Sequence, residues 1–104
     1  MRTTLRPVDR LGGFPPDSVA RVDDLFAELE GCNIRSGTAY WVAWILGIHV
    51  DGDEAWIQLS LVGETPYSLV LHLLPPATGR QAIGAIGLWL DRRPLDLCSV
   101  VDVT

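Results

Sequence analysis

Lysine is absent from this chain, and all eight basic residues are arginine. That excludes lysine Schiff-base chemistry, a P-loop lysine and any side-chain amine nucleophile. Cysteine is nearly absent: Cys32 and Cys98 stand far apart with no CxxC spacing, so the sequence offers neither a zinc signature nor a dithiol motif. Positive charge is scarce. Thirteen acidic against eight basic residues leave a formal net charge of −5. A nucleic-acid binder needs clustered cations to displace phosphate counterions, and this composition argues against one. Long apolar runs are missing too. The uncharged stretches 37–50 and 65–79 fall short of the ~18 residues a membrane-spanning helix needs, and Pro75 and Pro76 interrupt the second. The N-terminal segment lacks the apolar core of a signal peptide. The chain reads as soluble and cytoplasmic, with reduced thiols and no membrane contact.

What is present suits one folded domain. The chain has 104 residues, 48% of them apolar and 20% charged. A domain of this size buries about two thirds of its unfolded surface. Residues 1–16 read as an irregular N-terminal arm, punctuated by Gly12-Gly13 and Pro15-Pro16 and made mildly basic by Arg2, Arg6 and Arg10. Residues 17–104 read as a single α+β domain.

The expected elements follow from periodicity and punctuation. Asp17 or Ser18 can cap a helix over 17–30, whose stripe is Val19, Val22, Leu25, Phe26 and Leu29, with Gly31 as its stop. Residues 32–37 read as a loop. Three strands follow, near 38–50, 54–62 and 67–74, the first two joined by a tight turn at Asp51-Gly52. Thr78 and Gln81 match a capping box that opens a helix over 78–91. Its stripe is Ala82, Ile83, Ile86, Trp89 and Leu90; Gly84 and Gly87 within it suggest that another backbone comes close. A short final strand fits 97–103. The plan is helix, three-stranded antiparallel meander, helix, strand, with both helices on one face of the sheet.

A two-residue loop at Asp51-Gly52 sets an expected register. Ile48 then faces Ala55, Leu46 faces Ile57, Trp44 faces Leu59 and Val42 faces Leu61, all apolar on apolar. These residues form the expected core face. The opposite face pairs His49 with Glu54, Gly47 with Trp56, Ile45 with Gln58 and Ala43 with Ser60. With Gly63 set opposite Tyr67, the third strand adds Ser68, Val70 and His72 to that second face, and Gln58 lies opposite His72.

The second face is where function is expected. Two helices cover one side of a sheet, so Trp41, Ala43, Ile45, Trp56 and Val70 are left to be shielded by a partner. His72 with Gln58 and Ser60 on that apolar floor forms the strongest candidate ligand site. The plainer alternative is that these groups bond one another inside a dimer interface. No carboxylate falls beside His72 in this register, so no catalytic triad is read. His49 and Glu54 read as a surface ion pair, and 51–54 as a turn rather than a calcium loop, whose remaining ligands are missing. Thr78 at a helix start could meet an anion, but the cap already accounts for it. No metal site and no cofactor are expected.

In element order, size and acidity the chain resembles the general plan of dimeric type III secretion chaperones; it shares no motif with them and is shorter. The leading reading is a non-enzymatic interaction module acting as a homodimer through the second face. The alternative is a small-molecule binding protein or small enzyme built around His72.

Overall fold

The structure is a computed structural model that describes residues 6–7, 19–52, 54–74, 78–95 and 98–104. Its elements run β1 (Arg6–Pro7), α1 (Val19–Leu29), β2 (Asn33–Ser36), β3 (Ala39–Asp51), β4 (Glu54–Val62), β5 (Tyr67–Leu73), α2 (Gly79–Leu90) and β6 (Cys98–Asp102). The fold is α+β, as the pattern predicts. All strand pairs are antiparallel, in the order β1-β3-β4-β5-β6, with β2 also paired to β3. The expected meander, β3-β4-β5, is therefore the centre of a larger sheet. Asp17, Ser18, Pro75, Pro76 and Leu97 lie outside the described residues, as does the N-terminal arm except for β1.

The helices form where capping and periodicity place them. Gln81 N–H donates to Thr78 Oγ1 at 3.2 Å and Thr78 N–H donates to Gln81 Oε1 at 2.9 Å, so both halves of the capping box are made. Gly31 takes a φ of 73° just past α1, where a residue without Cβ ends a helix at least cost. Val22, Leu25 and Leu29 from α1 and Ala82, Ala85 and Ile86 from α2 are buried in one cluster with the inward residues of the strands. Burial of this kind contributes roughly 25 cal/mol per Å² of apolar surface removed from water.

Three expectations about the sheet need correction. First, 32–37 is not a loop. Asn33–Ser36 form β2, a hairpin partner for Ala39–Val42 closed by a turn that begins at Gly37, φ 62°. Ile34 alone is apolar there, yet it is buried, and the strand covers the outer edge of β3. Second, the β3–β4 turn closes one residue late: Asp51 pairs with Glu54 and Gly52 takes φ 60°. Third, β3 contains a bulge. Gly47 pairs with Gln58 but Ile45 pairs with Leu59, leaving Leu46 as an extra residue. An extra residue reverses the facing of everything on one side of it. Trp41, Ala43 and Ile45, expected on the second face, therefore point into the core and are buried. Trp44 and Leu46, expected in the core, are exposed.

The outer edge of β3 near the bulge is completed by the end of α1. Gly31 N–H donates to the Ala43 carbonyl (2.7 Å), Ala43 N–H to the Cys32 carbonyl (2.9 Å), and Ile45 N–H to Glu30 Oε2 (3.0 Å). These bonds occupy groups that a broken ladder would leave without partners.

The close helix approach expected at Gly84 and Gly87 lies elsewhere. A Cβ at either position would meet nothing within 4 Å, whereas one at Gly79 would sit 2.7 Å from Glu28 Cβ, at the crossing of α1 and α2. Gly84→Ala and Gly87→Ala are expected to stabilise the domain by up to about 1 kcal/mol each through helix propensity. Gly79→Ala is expected to cost about 1–3 kcal/mol through overpacking. Urea unfolding of the three variants checks both signs; a neutral Gly79→Ala would contradict the close approach.

Candidate functional site

The face of the sheet opposite the helices carries the candidate site, built from residues that alternate with the core positions. Its rows follow from the observed register. His49 lies beside Trp56, Trp56 beside His72 and His72 beside Ser99. The next row is Gly47, Gln58, Val70 and Val101; beyond it Trp44, Ser60 and Ser68 align, then Val42 and Val62. Trp44 is 45% exposed, Val62 52% and Val101 55%, so these apolar side chains stand in solvent, while Val42, Trp56 and Val70 are half-buried. Trp44 is held on one side by Gly31, where an added Cβ would lie 3.7 Å from its ring.

The β4–β5 register is two residues from the expected one. A slip of two keeps every side chain on its face but changes its neighbour. Gln58 lies opposite Val70 rather than His72, and Ser60 opposite Ser68. Trp56 lies opposite His72 and not over Gly47, and the two rings stack with centroids 4.5 Å apart and planes 5° apart. His49 meets the same indole from the other side, tilted at 49° with centroids 5.4 Å apart, rather than pairing with Glu54. Trp56 therefore separates the two histidines. Among the described residues no group of three metal-ligating side chains occurs.

A carboxylate does stand beside His72, contrary to the expectation. Glu54 Oε2 is 3.7 Å from His72 Nε2. That is ion-pair range but too long for a hydrogen bond. Nε2 is shielded from solvent and has no hydrogen-bond partner among the described residues. Of the three expected ligand groups, the structure sets His72 diagonally across from Gln58 and leaves Ser60 further along the sheet, with no hydrogen bond recorded between any two of them. Of the five expected interface residues, Trp56 and Val70 are on this face, and Trp41, Ala43 and Ile45 are in the core.

The residues missed by sequence reasoning are Trp44, which the bulge turns outward, and Glu54. Gly47 was the available signal, because an isolated glycine in a strand pattern points to a bulge.

Other chemistry is limited. Cys32 and Cys98 are free thiols, and burial pushes both above the ordinary thiol range, which makes them poor nucleophiles at neutral pH. No described helix is long and apolar enough to cross a membrane. Clefts among the described residues include one lined by Thr38, Tyr40, Trp41, Val62, Gly63 and Glu64 among others, and one at the end of α2; neither of these includes His72.

The chain matches no protein-family model, no curated protein and no solved structure.

Proposed function

We propose that this domain is a non-enzymatic interaction module that pairs with a second copy of itself through the outer face of its sheet. The observation that carries this reading is the set of exposed apolar side chains Trp44, Val62 and Val101, with half-buried Val70 and Trp56 among them, on a sheet whose other face is filled by both helices. Exposed apolar side chains gathered on one face of a sheet point to an interaction site. A self-complementary face closes most simply with twofold symmetry.

A second reading places a small ligand against His72, with Gln58 and Glu54 as its polar neighbours. It is favoured by one observation, the shielded Nε2 without a hydrogen-bond partner among the described residues. Neither of the clefts named above includes His72, and small ligands are usually held in concave sites.

Light scattering coupled to size exclusion is expected to give about twice the 11.4 kDa chain mass at micromolar concentration. Val70→Arg combined with Val101→Glu is expected to give a monomer with an unchanged far-UV spectrum, since both side chains lie on the outer face. A wild-type chain that stays monomeric would overturn the proposal. A monomer in which His72 responds to a small ligand would move the argument to the second reading.

A further inference from the structure

The C-terminal end of α2 carries a local conflict that points to a second site. Arg92 N–H donates to the Trp89 carbonyl at 3.0 Å, and Arg93 N–H donates to the Leu88 carbonyl at 2.8 Å. This paired closure of a helix requires a left-handed residue just past the cap, a position usually held by glycine. Here the residue is Arg92, with φ 60°, the one non-glycine residue of positive φ among those described. At the other left-handed positions, Gly31, Gly37 and Gly52, glycine is present. A side chain with Cβ is strained there, and glycine would remove the strain. Backbone strain that a simpler residue would relieve is a reason to look for what the side chain does.

Arg92 and Arg93 line a cleft of about 470 Å³ with Tyr67, Trp89, Leu90 and Asp102. The volume falls in the range of small-ligand sites. Tyr67 and Trp89 meet edge to face, with centroids 5.4 Å apart and planes at 86°, and form an aromatic wall. Two of the described acids stand nearby, Asp102 in the lining itself; each accepts from a neutral donor that leaves its carboxylate charged, so the two guanidinium charges have to outweigh them. Asp91 accepts from Ser36 Oγ, and Asp102 Oδ1 accepts from Thr104 N–H at 2.9 Å. Among the described residues neither arginine makes an ion pair. Guanidinium groups bind carboxylate and phosphate through parallel N–H donors, which suits two adjacent arginines at the mouth of an aromatic cleft.

We infer that this cleft binds a small organic anion, its carboxylate or phosphate held by Arg92 and Arg93 and its aromatic body resting on Tyr67 and Trp89. The site uses none of the residues assigned to pairing and is independent of that proposal. The chain's net charge of −5 opposes non-specific capture of anions, so binding must come from local contacts.

Phenyl phosphate and benzoate are the probes, with inorganic phosphate as the comparison. Titration of labelled full-length chain, read at the indole N–H of Trp89 by NMR, is expected to show saturable shifts with both aromatic anions. The tighter of the two assigns the oxyanion, and inorganic phosphate is expected to bind at least about tenfold more weakly because it gains nothing from the aromatic wall. Arg92→Gly and Arg93→Gln are each expected to weaken binding at least about fivefold, the loss of charge-assisted hydrogen bonds. Arg80→Gln, at the other end of α2, is expected to leave it unchanged. Arg92→Gly should also raise the melting temperature, which separates lost binding from lost folding. No saturable shift at Trp89, equal affinity for inorganic phosphate, or binding indifferent to both arginine variants would overturn the inference.

Discussion

Ile45→Arg is expected to abolish folding, while Trp44→Arg, one position earlier, leaves the domain folded. The two residues are neighbours in one strand and both are large and apolar, so their difference rests on facing alone. Ile45 is 3% exposed and belongs to the cluster formed with both helices. An arginine there would bury an uncompensated charge and displace a packed side chain, a combined cost of several kcal/mol. That is comparable with the whole stability of a small domain, about 5–15 kcal/mol. Trp44 stands 45% exposed, so its replacement loses partial packing and buries no charge. The cost there should stay near or below about 1 kcal/mol. Far-UV circular dichroism with urea unfolding of both variants reads the result. The reverse order of stabilities would place the bulge elsewhere and return Trp44 to the core.

The bulge explains how much of the fold was legible. α2 could be read because its capping box and stripe are explicit. The faces of β4 and β5 could be read because Ala55, Ile57, Leu59 and Leu61, then Leu69, Leu71 and Leu73, alternate with residues that are smaller or polar, Trp56 excepted. β3 gave no such phase. From Ala39 to Ile48 nearly every position is apolar, so an inserted residue leaves no break in the pattern. The strand could be located, but not which of its halves faced which way. β2 escaped for the opposite reason, since four residues with one apolar member carry no period at all.

The candidate site depended on a finer quantity than the face. The alternation of β5 puts His72 on the outer face but does not fix its neighbours, because a two-residue slip preserves the face and changes the row. Loop geometry decides that slip, and the 63–66 connection has no tight-turn signature from which to read it. Trp56 and Glu54 therefore replaced Gln58 as the groups nearest to His72. The Arg92–Arg93 cleft was beyond reach for another reason. The strain at Arg92 is a backbone property, and the residues of the cleft come together only when β5, α2 and β6 have docked.

Trp41 is the residue whose loss should cost most without introducing a charge. Its indole N–H donates to the Thr65 carbonyl at 2.7 Å, and its ring lies 6.1 Å from that of Tyr67, so it ties the β4–β5 loop to the core. Trp41→Ala is expected to destabilise the domain by about 3–5 kcal/mol, the range for deleting a buried aromatic side chain. Gly63 closes over the same ring. A Cβ added there would lie 2.7 Å from Trp41 Cδ1 and 2.7 Å from the Tyr40 carbonyl oxygen. Neither neighbour is the loose end of a flexible chain, so Gly63→Ala is expected to cost about 1–3 kcal/mol by overpacking. The two effects should couple. In a Trp41→Leu background the clash with the indole is gone but the clash with the Tyr40 carbonyl remains, so the penalty at Gly63 should shrink by about 1 kcal/mol without vanishing. A double-mutant cycle by urea unfolding measures this directly. A Gly63→Ala penalty unchanged by Trp41→Leu would mean that the backbone contact alone sets the cost. A neutral Gly63→Ala would show that the loop does not close on Trp41 at all.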